Sequence, residues 1–178
     1  SEDSKLCIGI DFGTTNSVCT VKLGDQVKVV EDDQGKTIIP TLVLYNEQKS
    51  IFGNNALGHN NYLDSVFSVK RDFTSDYDIR KYLNSNNEKV TSVEVSKDFF
   101  IYLKNICEKN LKRKIFDCVV TVPAYFDEKA RSGIMRAAFM AGLRVRRLIN
   151  EPTSAAFAYG LEKKKKGVFF IYDLGGGT

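Results

Sequence analysis

The chain has 178 residues, 43% of them hydrophobic and 27% charged, with a formal net charge of +4. That length and balance suit one packed domain, or one domain carrying an inserted subdomain, and exclude a disordered tail or a core that needs metals or disulfides to hold it. Apolar runs reach about six to eight residues, well short of the roughly 20 that a membrane-spanning helix requires, and the opening SEDSKLC lacks a signal-peptide pattern, so a cytoplasmic location without a membrane partner is expected.

Residues 5–10 and 17–23 are apolar and β-prone, and Gly24-Asp25 supplies a turn before a third strand at 26–30. The chain therefore opens as a three-stranded meander. The first connection, Asp11-Phe12-Gly13-Thr14-Thr15-Asn16, is too rich in glycine and hydroxyl groups for core strand and is expected to be an exposed turn. From 37 to 87 the pattern weakens into short strand candidates, 41–45 and 50–52, and polar stretches such as Gly58-His59-Asn60-Asn61, as an insertion into a scaffold would. Ser96 is the predicted N-cap of a helix reaching about 114, with Phe100, Leu103, Cys107 and Leu111 near 3.6-residue spacing and basic residues at its end. Strand 117–122, helix 128–141, strand 144–149, helix 152–159 and strand 168–173 then alternate, which implies parallel pairing through right-handed crossovers. The fold class is α/β, with the opening meander joined to a later parallel portion of the same sheet.

Cys7, Cys19, Cys107 and Cys118 form no CxxC pair, a single histidine accompanies them, and all lie in apolar or strand-like surroundings. They read as reduced, buried thiols rather than zinc ligands. The dense basic run Lys163 to Lys166 lies between a helical pattern and an apolar run, where a solvated connection is expected, and no basic face with interleaved aromatics suggests a nucleic-acid partner.

Two segments carry chemistry. Asp11-Phe12-Gly13-Thr14-Thr15 begins at the end of an apolar strand: a carboxylate there can hold a hydrated divalent cation, glycine admits a close ligand, and amides with threonine hydroxyls can donate to phosphate oxygens. Asp173-Leu174-Gly175-Gly176-Gly177-Thr178, after the apolar Ile171-Tyr172, repeats that plan. Two such loops suggest an internal duplication in which pseudo-equivalent lobes grip a nucleotide's phosphates from both sides.

With DFGTTNS at 11–17, Val69-Lys70-Arg71, TVPAYF at 121–126, NEPT at 150–153, Ala155-Ala156, AYGL at 158–161 and DLGGGT at 173–178, the chain resembles the nucleotide-binding domain of the seventy-kilodalton heat-shock chaperones across nearly its whole length. The resemblance implies an actin-like, ribonuclease-H-like ATPase lobe with a mixed sheet and an inserted smaller α+β subdomain, cut at the start of a second lobe. It implies first-lobe core at 1–36 and 115–162, a shortened insertion at 37–114, and the first strand and phosphate loop of the second lobe at 163–178. MgATP or MgADP is the implied cofactor. Gly13, Thr14 and Thr15 match the first phosphate loop, and Gly175, Gly176, Gly177 and Thr178 the second. Lys70 matches the lysine near the terminal phosphate and attacking water. Asp11, Glu151 and Asp173 match the carboxylates around magnesium and its waters, with Lys70, Glu151, Asp173 and Thr178 as the catalytic set. Pro123 and Arg131 match the pair that couples nucleotide state to substrate release. The implied partners are a J-domain co-chaperone, a nucleotide-exchange factor and an unfolded or iron–sulfur scaffold client.

The segment between Lys70 and Ser96 is shorter than in common members of the family, and Arg71-Asp72-Phe73 departs from the usual pattern after the lysine. This compactness, the spacing around Ser68-Val69-Lys70 and Asp127-Glu128 after TVPAYF resemble the branch dedicated to iron–sulfur cluster assembly. With one lobe, the chain by itself is expected to bind ATP no more tightly than roughly millimolar and not to turn it over. Phe169, Phe170, Ile171 and Tyr172, on a strand whose family partners are absent, are expected to fold back or to pair with a second molecule. Two other readings stand beside this one: a sugar or acetate kinase of the same superfamily, which the TVPAYF and NEPT blocks disfavour, and a non-catalytic chaperone relative or exchange partner, against which Lys70, Glu151 and both loop aspartates argue.

Overall fold

The computed structural model describes residues 6–13, 15–46, 49–59, 66–68, 82–83, 85–86 and 88–150. Strands β1 (Cys7–Phe12), β2 (Asn16–Leu23) and β3 (Gln26–Val29) form the expected antiparallel meander, turning at Gly24 with φ of 64°. The short β4 (Ile39–Pro40) pairs with the start of β2. After an intervening segment, β10 (Asp117–Val122) joins β1 in parallel and β11 (Arg144–Asn150) joins β10 in parallel. The path across the sheet is β11-β10-β1-β2-β3, so the meander and the parallel portion do share one sheet. Between β4 and β10 lie a three-stranded sheet, β5 (Leu42–Tyr45) flanked by β6 (Ser50–Phe52) and β7 (Val66–Ser68), the short helix α1 (Gly53–Leu57), and a ribbon of β8 (Tyr82–Leu83) with β9 (Lys89–Val90).

Burial follows position in the sheet. In β10, between β1 and β11, all residues but Val119 are buried, whereas β11 exposes Arg144, Arg146 and Arg147. Register shifts between Cys118 and Val119, so that Arg146 is an extra residue in β11 that bends the strand.

Helices α2 (Ser92–Leu111) and α3 (Glu128–Met140) pack against each other and into the core of the main sheet. α2 starts four residues before the predicted Ser96. Its N-cap is Thr91, whose hydroxyl accepts from Glu94 N at 3.1 Å while Glu94 Oε1 accepts from Thr91 N at 3.3 Å. This reciprocal pair satisfies two donors that the helix leaves open, and Ser96 instead donates to Ser92 O within the helix. The extra turn brings Val93 and Val95 into the core, and within the predicted span Phe99 is buried beside the expected Phe100, Leu103 and Cys107. The exposed turn expected after β1 is likewise corrected. The strand continues through Phe12, which is fully buried and stacks on Phe100 with ring centres 5.5 Å apart, because an aromatic ring has more to gain from the core than the flanking polar residues lose.

Cys19, Cys107 and Cys118 are free, buried thiols and Cys7 is a half-buried one. A hydrogen bond with Cys107, and then burial, push the Cys19 thiol up. Burial, with the charges of Cys7 and Asp117 behind it, pushes Cys118 up to about 12. Such thiols stay protonated in the fold when they would ionise in the unfolded chain, near pH 8.5. The unfolded state then binds fewer protons, so stability falls as pH rises above that value and the fall ends only above the folded pKa. The unfolding free energy read from urea titrations between pH 8 and 9.5 should drop on the order of 1 kcal/mol per pH unit, the midpoint falling with it, and Cys118→Ala should flatten the slope. A midpoint independent of pH in that window would contradict the buried placement.

Candidate functional site

The parallel strands β1, β10 and β11 end along one edge, with Asp11, Thr121 and Ile149 on neighbouring rungs. Ligands of open α/β sheets gather at the carboxyl ends of parallel strands. Here that edge carries Asp11 with the loop that follows it, the Pro123 turn after β10, and Asn150 at the end of β11. Asp11 is 3% exposed and Thr121 is also 3% exposed. Both polar groups are thus held inside the sheet at the point where the loops begin.

The loop after β1 is tight. A Cβ on residue 13 would lie 2.3 Å from the carbonyl oxygen of Asn16, so the turn closes only over glycine. Thr41, just beyond β4, holds the loop from the other side. Its amide donates to Thr15 O at 2.9 Å, its hydroxyl donates to Gly13 O at 3.4 Å, and it shares a 2.7 Å hydrogen bond with the Ser17 hydroxyl. Ser17 and Thr41 are fully buried, whereas Thr15 is exposed. The arrangement fixes the loop's backbone while leaving Thr15 open to a ligand. Thr41 was not identified from sequence as a site residue; the only signal was a hydroxyl placed directly after Pro40 in an otherwise apolar run.

The second group of predicted residues meets at a corner beside this loop. Pro123 O accepts from Phe126 N at 3.1 Å, which closes a four-residue turn, and Asp127 caps α3 by accepting from Ala130 N at 2.9 Å. Arg131, one turn into α3, reaches across to β11, where Nη1 donates to Asn150 Oδ1 and Nη2 to Leu148 O at 3.3 Å. Asn150 Nδ2 in turn donates to Phe126 O at 3.0 Å and faces Pro123 O at 3.4 Å. Pro123 and Arg131, 8 positions apart in sequence, are therefore joined through one carboxamide that the sequence reading quoted only as part of NEPT.

Of the predicted site residues, Asp11, Gly13 and Thr15 come together at the loop, and Pro123 and Arg131 at the corner. Thr14, Lys70, Glu151, Asp173, Gly175, Gly176, Gly177 and Thr178 lie outside the described residues, as do the predicted helix 152–159, the strand 168–173 and the lysine run.

A mixed sheet whose meander leads into parallel strands, with two helices on its core and a glycine loop at the strand ends, is an α/β lobe of the actin-like fold. The family model "Hsp70 protein" matches residues 7–178, and the chain belongs to the Hsp70 family. Among curated proteins it is similar to the chaperone protein HscA homolog of Rickettsia felis, at 39% identity over 99% of this chain and 30% of that protein. The HscA homologs of Rickettsia bellii and Rickettsia prowazekii are 38% and 41% identical, over 99% and 98% of this chain. The chain spans 30 to 32% of the length of these relatives.

Proposed function

We propose that the chain supplies one side of the nucleotide cleft of an ATP-hydrolysing chaperone, with ATP or ADP and Mg2+ as cofactors. The observation that carries this reading is the edge itself: Asp11, a loop that accepts only glycine at position 13, and the exposed Thr15, all at the carboxyl end of a strand in a chain of the Hsp70 family. A buried carboxylate beside a tight glycine loop is chemistry that fits a hydrated divalent cation and phosphate oxygens. In this reading Asp11, Glu151 and Asp173 hold the magnesium ion through water. Gly13, Thr14 and Thr15, together with Gly175, Gly176, Gly177 and Thr178, hold the phosphates. The ion would neutralise phosphate charge. Lys70 would place a fixed positive charge near the terminal phosphate, where developing charge needs it.

The same proposal takes residues 1–36 and 115–162 as first-lobe core, 37–114 as an inserted subdomain and 163–178 as the opening of a second lobe. The HscA names of the relatives support assigning the chain to a branch whose chaperones serve iron–sulfur cluster assembly, with a J-domain protein, an exchange factor and a scaffold protein as partners and the cytoplasm as location. Among the described residues, no helix is long and apolar enough to cross a membrane. The family match favours this reading over a sugar or acetate kinase.

The test is ATP hydrolysis by the full-length protein that contains this segment, with and without a J-domain protein. Slow turnover that the J-domain protein accelerates, and that Lys70→Ala lowers at least 100-fold (about 2.7 kcal/mol of barrier), is the expected result. Phosphate transfer from ATP to a sugar or to acetate, without free phosphate release, would replace the reading with the kinase one.

A further inference from the structure

Asn150 stands where three pieces of the molecule meet. Its oxygen accepts from the Arg131 guanidinium on α3, and its nitrogen faces three carbonyls of the turn after β10: Phe126 at 3.0 Å, Pro123 at 3.4 Å and Ala124 at 3.5 Å. The chemistry leaves one orientation for this carboxamide. A guanidinium offers only donors and a carbonyl only acceptors, so the oxygen must face Arg131 and the nitrogen the turn. Two N–H groups serve three carbonyls; by distance, Phe126 receives the well-formed bond while Pro123 and Ala124 share the weaker contacts.

The turn and α3 form one unit, because Phe126 N closes the turn onto Pro123 O and the Asp127 cap begins the helix at the next residue. Asn150 fastens that unit to the end of β11, where the chain runs directly into Glu151. Neither aspartate nor leucine reproduces both halves of the tie. Aspartate keeps the Arg131 partner but turns an oxygen toward three carbonyl oxygens; leucine, of similar shape, loses both halves.

We propose that Asn150 is a positioning residue that transmits displacement between the carboxyl edge of the sheet and the turn-and-helix unit bearing Pro123 and Arg131. The source of that displacement, nucleotide at the edge, rests on the proposed function; the tie itself rests on the hydrogen bonds alone.

The test uses Asn150→Asp and Asn150→Leu in the full-length protein, with ATP turnover measured in the presence and absence of a permanently unfolded polypeptide, reduced carboxymethylated lactalbumin. Both variants should lower the ratio of polypeptide-stimulated to unstimulated kcat at least 5-fold while the KM for ATP stays within about 2-fold. A merely structural asparagine would change kcat and KM together and leave the ratio intact, and that outcome overturns the proposal. A second readout is amide hydrogen exchange at Phe126 in the 178-residue chain, which should speed at least 10-fold in both variants. In Asn150→Asp the Arg131 side-chain Nε–Hε resonance should stay near its wild-type position, whereas Asn150→Leu should move it. Unchanged exchange at Phe126 also overturns the proposal. If the wild-type protein shows no ATP turnover, the nucleotide reading has failed, and the exchange and resonance measurements decide the tie by themselves.

Discussion

Replacing Phe100 with alanine should lower the stability of this chain by about 3–5 kcal/mol, the range for removing a fully buried phenylalanine from a core that cannot close over the gap. Phe100 is fully buried on the sheet-facing side of α2. Its ring stacks on Phe12 at 5.5 Å, and Phe12 also meets Phe99 edge-on at 6.3 Å. These three rings join α2 to β1 immediately beside Asp11, so alanine at position 100 would remove contacts from both elements at once. A domain holds roughly 5–15 kcal/mol in total, which makes this loss a large part of it. In urea the midpoint should fall with the slope unchanged. Phe139 supplies the comparison: it is also on a core-packed helix but 77% exposed, and Phe139→Ala should stay within about 0.5 kcal/mol of the parent. If Phe100→Ala does not fold, Phe100→Leu, which keeps much of the volume, should fold with a smaller loss. Equal effects at positions 100 and 139 would mean that α2 does not face the sheet as described.

What the sequence revealed and what it concealed divide along the range of the interactions. The meander and the parallel strands were legible because β1, β2 and β10 are short apolar runs bounded by turn residues, and alternation with helices implies parallel pairing. The helix start was misplaced although Thr91-Ser92-Val93-Glu94 spells a capping box. Ser96 is also a cap-type residue, but Phe99 stands three residues on where Thr91 has Glu94, and the Thr91–Glu94 hydrogen bonds set the start. Phe12 was hidden by its polar neighbours, since composition averaged over 11–16 describes a turn while that one ring belongs to the core. The parts of the site that depend on distant partners were least visible. Thr41 grips the Gly13 loop from 28 positions away, and Asn150 reaches back to Phe126 across 24. Motif spelling marked Asp11 and Gly13, and the family resemblance added the pair Pro123 and Arg131, but neither marked the side chains that hold them in place.

Gly13→Ala should disable the loop that the proposed function needs most. The reason is contact rather than backbone freedom: the new methyl would lie 2.3 Å from the Asn16 carbonyl oxygen, far inside contact distance, and the atom it meets is backbone that cannot swing aside. To make room, the 13–16 turn must open. The first bonds to give way would be those nearest it, the pairing of Phe12 with Ser17 and the Thr41 bonds to Thr15 O and Gly13 O. Leaving the buried Thr41 amide and hydroxyl without those acceptors costs about 1–3 kcal/mol per group, so a stability loss of about 2–6 kcal/mol is expected. Gly24→Ala separates this effect from ordinary glycine strain, because Gly24 has φ of 64° yet nothing within 4 Å of an added Cβ. That variant should lose only about 1–2 kcal/mol, the cost of a left-handed backbone at one residue. In the full-length protein Gly13→Ala should weaken MgATP binding at least 100-fold, about 2.7 kcal/mol, whereas Gly24→Ala should leave it unchanged. Calorimetric titration of the two variants, each below its own melting temperature, reads the difference. Parental affinity in Gly13→Ala would remove this loop from the nucleotide site.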